Sequence, residues 1–117
     1  MKIYRAKEAK QEPRDGFSLG ILAEIKLQNN PSSVGFFRPS IPPNGKLRNH
    51  YHEEIVEFMF FANPARIKCG SETFNIESGD MVLFYPGEQH EVFAGAEENI
   101  PLVVKLPNNP KDVKVPK

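Results

Sequence analysis

Three histidines and one glutamate are the residues of this chain whose types and spacing could do chemistry. His50 and His52 stand two residues apart, Glu57 follows shortly after, and His90 lies far downstream. Imidazole nitrogens and a carboxylate oxygen are ligands that suit borderline divalent transition metals. The four residues therefore predict a site for one divalent ion, and ligand type leaves Fe, Mn, Ni, Co and Zn all open.

The spacing of the two close histidines suits a β-strand. Residues two apart on a strand project from the same face, with origins roughly 6–7 Å apart, so both imidazoles could converge on one ion. Glu57 is an odd number of residues from His52 and would point to the opposite face of an uninterrupted strand. We therefore expect a turn or bulge at Glu53-Glu54 that resets the alternation. A Glu57 that is not a ligand would instead accept a hydrogen bond from a ligand imidazole.

The elements that must position these residues are short strands. Apolar residues alternate with other residues from Phe17 to Leu27, which predicts one long, half-buried strand. Segments bounded by proline, glycine and asparagine turns predict the other strands, near residues 2–5, 34–38, 46–52, 55–61, 65–69, 73–76, 81–85, 90–93 and 100–106. Many short strands at this spacing are typical of an antiparallel sandwich or barrel.

Length and composition fit a single all-β domain over residues 1–117. A chain of 117 residues has room for one modest core, and 11 prolines work against long helices. We expect residues 1–16, which are of mixed charge, and residues 107–117 to be arms of this domain. Segment 107–117 carries little to bury, so we expect it to be irregular or loosely packed.

The charge balance and the cysteine content limit which binding partners and which cellular location we expect for the protein. Lys plus Arg equals 15 and Asp plus Glu equals 15, so the formal charge is zero and gives no footprint for nucleic acid or an anionic membrane. No apolar run is long enough to cross a bilayer. The N-terminal residues lack the apolar core of a signal peptide, and the single cysteine cannot form an internal disulfide. We therefore expect a cytoplasmic protein.

The first histidine segment resembles the first conserved motif of the cupin superfamily, which reads Gly, about five residues, His-x-His, three or four residues, Glu. Here Gly45 is followed by four residues, His50-Tyr51-His52, four residues and Glu57. The glycine that closes the family motif is replaced by Asn63, a residue type that tolerates left-handed backbone, so we expect the turn to be kept.

The second segment resembles the second cupin motif, Gly, five residues, Pro-x-Gly, two residues, His, three residues, Asn. Gly79, Gly87 and His90 are in register with it, whereas Tyr85 stands in place of the proline and Ala94 in place of the asparagine. The two matches together cover residues 45–94, which is less than half of the chain.

The resemblance implies a double-stranded antiparallel β-helix, the jelly-roll or cupin barrel. It also implies that His50, His52, Glu57 and His90 bind one metal ion and leave coordination positions open. Three further side chains are candidates for substrate contact. Arg48 shares the histidines' alternation and would bind an anionic group or form a salt bridge, Tyr85 would present its hydroxyl at the pocket rim, and Met59 would point inward together with Glu57.

These features predict a metal-binding cupin that binds or acts on a small polar metabolite, such as a carboxylate, a diol or a sugar derivative. The superfamily hosts dioxygenases, decarboxylases and sugar-phosphate isomerases on one site plan, so the resemblance selects no activity and leaves open whether the protein is an enzyme. The segment from Arg48 to His52 is similar to the motif of cupins in sugar-nucleotide modification, which keeps a carbohydrate or sugar-nucleotide isomerase or epimerase as an alternative. A non-catalytic small-molecule-binding module is the other.

The strand that carries Glu57 predicts a further partner. If Glu57 points inward, then Val56, Phe58 and Phe60 lie on the opposite face, and an exposed apolar face usually indicates a binding surface. We therefore expect a homodimer that uses Phe58 and Phe60.

Overall fold

Antiparallel strands form nearly all of the regular structure in the computed structural model, which describes residues 1–28 and 30–117. The strands are β1 (Lys2–Tyr4), β2 (Lys10–Arg14), β3 (Phe17–Ile21), β4 (Gly35–Phe37), β5 (Lys46–His50), β6 (Val56–Phe60), β7 (Ala65–Cys69), β8 (Glu72–Ile76), β9 (Met81–Phe84), β10 (His90–Ala94) and β11 (Leu102–Leu106). One turn of 3₁₀ helix spans Ala6–Glu8. Within the described ranges, no helix is long and apolar enough to cross a membrane.

The strands form two main sheets and one separate hairpin. The first sheet has the order β1-β9-β6-β11-β4, the second has the order β5-β10-β7-β8, and β2 pairs only with β3. The strand predicted near residues 2–5 is confirmed as β1, which pairs with β9 at the edge of the first sheet. This arrangement confirms the predicted all-β, antiparallel jelly-roll.

The core lies between the two main sheets and follows from the alternation of their strands. Met59, Val82 and Val103 point inward from the first sheet, and Ile67 and Val92 point inward from the second. Each of the five is at most 2% exposed. Burying one such side chain contributes roughly 1.5–3 kcal/mol relative to leaving it in water. The core holds the two sheets together, and each sheet carries part of the histidine–glutamate cluster.

Two glycines of the second histidine segment occupy backbone conformations that other residues rarely adopt. Gly79 has φ 89° and Gly87 has φ 87°, both in the left-handed region. The Gly87 N–H donates a hydrogen bond to the carbonyl of His52 at 2.7 Å, so this turn is tied to the first histidine segment. The chain does bend at residues 62–63, as expected, but the left-handed backbone expected at Asn63 is wrong: in the described ranges, the non-glycine residue with positive φ is Asn44 (φ 60°).

The predicted strand from Phe17 to Leu27 is wrong beyond Ile21. Its partner β2 begins at Lys10, which pairs with Ile21, so the hydrogen-bonding partner ends there. Beyond Ile21 the apolar residues still alternate in the sequence, and the structure shows why. Ile25 and Leu27 are half-buried and line a cavity with residues of the first sheet. In this segment the pattern reports one-sided burial of an irregular chain.

Residues 107–117 form no strand or helix, as expected, but they are not loosely packed at Asp112, which is 6% exposed. Its carboxylate accepts hydrogen bonds from the backbone N–H groups of Glu53, Glu54 and Ile55. Two residues later, Lys114 exchanges two backbone hydrogen bonds with Tyr51. The segment packs because it supplies acceptors that the bend after His52 lacks within its own strand.

Candidate metal centre

The bend predicted at Glu53-Glu54 is confirmed, and it brings the glutamate to the histidines. The chain leaves β5 in the second sheet, bends at these two residues and enters β6 in the first sheet. Glu57 then points inward on the same side as Met59. One ligand atom from each of His50, His52, Glu57 and His90 lies within 4.8 Å of the others, so the group could hold a metal ion.

Backbone carbonyls fix the orientation of all three imidazoles. Nδ1 lies 2.8 Å from the Arg48 carbonyl in His50, 2.5 Å from the Asp112 carbonyl in His52, and 2.9 Å from the Glu88 carbonyl in His90. A carbonyl oxygen can only accept, so each Nδ1 carries the proton and donates it. In a neutral ring this leaves the lone pair on Nε2, which is the usual arrangement of a metal-binding histidine.

Neighbouring side chains and strands also hold His90 in place. The ring of Phe84 stacks on the imidazole, with centroids 3.8 Å apart and planes 13° apart. His90 also pairs directly with His50 between β10 and β5, so the two residues project from the same face. Packing and register therefore position this ligand from a distant part of the sequence.

Glu57 is 1% exposed and faces two imidazoles. Its Oε1 lies 3.0 Å from Nε2 of His90, and its Oε2 lies 3.5 Å from Nε2 of His52. Burial alone would raise the pKa of Glu57, but the imidazoles of His52 and His90 outweigh it and hold the pKa well below its usual range. The cluster therefore keeps a carboxylate that needs a cation beside it.

The pKa values of the histidines follow from the same surroundings. Burial lowers the pKa of His52, but the Glu57 carboxylate and the Asp112 carbonyl outweigh it, so the pKa is raised. At His50 burial prevails and lowers the pKa. A proton at His52 or a divalent cation between the four side chains would neutralise Glu57.

One buried nitrogen of the cluster makes no hydrogen bond and could bind a metal ion instead. Nε2 of His52 is buried and has no hydrogen-bond partner among the described residues. Leaving such a group unsatisfied costs about 1–3 kcal/mol. An ion bound by three imidazoles and one carboxylate would satisfy this nitrogen and balance Glu57, and the donor types suit a divalent transition metal.

A cavity of about 400 Å³ opens beside His50 and Glu57. One wall is apolar and two cations lie at its border. The lining residues are Phe37, Arg38, Pro39, Leu47, His50, Glu57, Met59, Val103 and Lys105. Met59 therefore lies where its inward orientation was expected. Lys105 pairs with Glu57 across β11 and β6, and its Nζ lies 3.8 Å from Glu57 Oε2.

Two predicted contacts lie outside this cavity. Val92 pairs with Leu47 but His90 pairs with His50, so β5 bulges between Leu47 and His50. The bulge shifts the alternation: Leu47 lines the cavity with His50, whereas Arg48 is exposed and not among the lining residues. Tyr85 is 47% exposed and borders a different cavity, with Val56 and Leu83 on the outer face of the first sheet.

The cations that do reach the cavity, Arg38 and Lys105, were missed by the sequence reasoning. Lys105 carried a usable signal, because it is the only charged residue between Ile100 and Leu106 and such a position can face inward. Arg38 carried none, since it follows β4 immediately before a proline. Asp112 was also missed, and its contact with His52 spans 60 residues of sequence.

No family model and no curated protein matches the sequence. Solved structures do match. A sugar phosphate isomerase from a cupin superfamily of Silicibacter pomeroyi shares 22% identity at a TM-score of 0.59, over 64% of this chain and 51% of that chain. A Cupin 2 conserved barrel domain protein of Salinispora arenicola shares 16% identity at 0.59, over 72% and 71%.

An oxalate decarboxylase of Lactobacillus farciminis, solved as a formate complex, shares 24% identity at a TM-score of 0.60, over 71% of this chain and 26% of that chain. The matched region spans about half the length of the Silicibacter pomeroyi isomerase and of a putative sugar phosphate isomerase of Acidithiobacillus ferrooxidans. At these identities the likeness concerns the fold. The chain therefore has the cupin barrel fold, as its two motifs predicted.

Proposed function

We propose that the protein binds one divalent transition metal through His50, His52, Glu57 and His90 and binds a small anionic metabolite beside it. The convergence of four donor side chains within 4.8 Å, at the border of a cavity of about 400 Å³, carries this proposal. Four protein ligands would leave two positions of an octahedral ion open for water or a ligand.

The cavity favours a small acid. Its volume lies at the low end of the range of about 300–1,000 Å³ that is usual for small-molecule sites. Arg38 and Lys105 place two positive charges at its border, and the Arg38 guanidinium can bind a carboxylate or phosphate through two hydrogen bonds. Met59 and Val103 offer an apolar wall for a short carbon skeleton.

The side chains of this protein would orient such a ligand. A bound divalent ion supplies Lewis-acid polarisation of a ligand oxygen. The three carbonyl-bound imidazoles hold their Nε2 atoms in place, so little reorganisation is needed when the ligand enters. Lys105, which already faces Glu57, would attract a negatively charged group to the same side of the cavity.

Two versions of this function remain candidates. A carbohydrate or sugar-nucleotide isomerase or epimerase is favoured by the names of two similar structures and by the two cations that could hold a phosphate. A non-catalytic binding module is favoured because the lining residues of the described cavity include no histidine or carboxylate beyond the proposed metal ligands.

A binding and turnover screen tests the proposal. The protein is purified without an affinity tag and loaded with Mn²⁺, Ni²⁺ or Zn²⁺. Hydroxy acids, diols and sugar phosphates are then titrated by calorimetry, and each mixture is followed by proton NMR. We expect acids or phosphates to bind the loaded protein more tightly than the metal-free protein. Equal affinity of both forms for every compound would contradict the proposal, and tight binding without conversion would favour the binding module.

A further inference from the structure

Asp112, in the C-terminal segment, contacts the histidine–glutamate cluster and the bend beside it through both its side chain and its backbone. The Asp112 carboxylate accepts hydrogen bonds from the backbone N–H groups of Glu53, Glu54 and Ile55 at 2.8, 2.9 and 3.2 Å. Burial would raise the pKa of Asp112, but these three N–H groups outweigh it and lower the pKa. The bend that turns Glu57 toward the histidines is thus closed by one buried carboxylate.

The backbone of Asp112 orients His52, one of the four proposed metal ligands. The Asp112 carbonyl accepts the Nδ1 proton of His52 at 2.5 Å. Because the carboxylate anchors Asp112 to the residues that follow His52, the position of this carbonyl depends on the side chain. The backbone bonds between Lys114 and Tyr51 hold the next part of the segment against the residue before His52.

We propose that Asp112 is a positioning residue of the metal centre, which sets the ring orientation of His52 and the bend that aims Glu57. The inference rests on the proposed metal site. The carboxylate is not aimed at the cluster, since its oxygens are occupied by backbone donors. It acts by orienting the second and third proposed ligands in chain order, His52 and Glu57, relative to one another.

The test compares Asp112→Ala with a matched variant, Asp80→Ala. Asp80 is also buried and accepts backbone N–H groups, from Ala6 and Glu77, but it lies at the end of β9 remote from Phe84 and His90. We expect both variants to lose thermal stability. Asp112→Ala should also lose about 10- to 100-fold in affinity for Zn²⁺, measured by competition with a chelator, whereas Asp80→Ala should keep it.

Two further readouts separate positioning from general destabilisation. With Co²⁺ as the probe, the visible absorption bands should change in Asp112→Ala and stay as in wild type in Asp80→Ala. Asp112→Asn should lie between wild type and Asp112→Ala, because one amide oxygen can replace only one carboxylate oxygen. If Asp112→Ala does not fold, Asp112→Asn carries the same comparison. Unchanged Zn²⁺ affinity and Co²⁺ spectrum in the folded variant would overturn the proposal.

A measurement on the metal-free protein keeps this inference separate from the proposed function. Nitrogen-15 NMR of the histidine rings, at a pH where they are neutral, reports which ring nitrogen carries the proton. In wild type His50 and His52, whose Nδ1 atoms face backbone carbonyls, should be protonated at Nδ1, and in Asp112→Ala only His52 should lose this preference. Failure of wild type to bind metal would contradict the proposed function, while an unchanged His52 signal in Asp112→Ala would contradict the positioning role.

Discussion

Lys105 and Glu57 illustrate how single residues define the candidate site. They pair across neighbouring strands and face the same cavity, with Nζ and Oε2 3.8 Å apart. The Lys105 side chain is 21% exposed, so its charge is only partly screened by water. The ammonium group can therefore attract an acidic ligand without leaving its place beside the proposed metal ligand.

Replacing Lys105 by alanine tests this role. We expect Lys105→Ala to weaken the binding of acidic ligands to the metal-loaded protein by roughly 10- to 100-fold, since a hydrogen bond to a charged group contributes about 1.5–3 kcal/mol. Arg48→Ala is the matched control, because Arg48 lies outside the cavity, and it should leave the affinity unchanged. Calorimetry measures both, and a larger loss in Arg48→Ala than in Lys105→Ala would contradict the assignment.

The four residues of the cluster could be predicted because each lies in a short motif whose spacing is local. The contacts around them could not. A bulge of one residue in β5 exchanged Arg48 for Leu47 at the cavity, and the motif does not encode that bulge. Asp112 reaches His52 from a segment whose sequence is polar and irregular, so no periodicity marks it.

At the scale of elements, the ends of strands rather than their centres set the site. The strand positions from β4 to β11 follow the sequence pattern closely, because alternation against a core is a local signal. The end of β3 could not be predicted, since it depends on where β2 begins. The turn before β9 is fixed by Asp80, which accepts the N–H groups of Ala6 and Glu77 and pairs with Arg5 at 2.7 Å.

Asp80 makes the stability of this turn dependent on pH. Burial would raise its pKa, but the two N–H groups and Arg5 outweigh it and lower the pKa. Its stabilising contribution is therefore fully present above the ordinary value of about 3.9 and is lost as the pH falls through the lowered folded pKa. We expect Asp80→Asn to cost about 1–2 kcal/mol at pH 7 and progressively less toward pH 2. Urea unfolding at several pH values measures this, and a pH-independent difference would contradict it.

At the scale of the whole molecule, the outer face of the first sheet is apolar. Phe60 pairs with Leu102, and Val104 pairs with Phe36. Phe60 is 40% and Phe36 is 66% exposed, whereas Phe58 is half-buried. The separate β2–β3 hairpin also exposes Phe17, and an isolated two-stranded hairpin is only marginally stable. These exposed apolar surfaces support our proposal that the protein forms a homodimer. We also propose that the protein is cytoplasmic.

A charge on the outer face tests the homodimer. We expect the mass from light scattering to be that of a dimer for the wild type and of a monomer for Phe60→Glu, because a buried unpaired carboxylate would oppose association. Val115→Glu places the same charge at an exposed apolar position outside this sheet and should remain dimeric. A wild-type monomer would contradict the proposal.

The central claim is that His50, His52, Glu57 and His90 bind one metal ion, and metal stoichiometry tests it most directly. The protein is produced without an affinity tag, loaded with a divalent transition metal and desalted, and its metal content is measured by elemental analysis. The half-buried His50 is replaced in His50→Ala, and Arg48→Ala serves as the control, with folding checked by thermal melting. We predict about one ion per chain in wild type and Arg48→Ala, and a loss of most of it in His50→Ala. A wild type that retains no ion, or a folded His50→Ala that retains it fully, would contradict the claim.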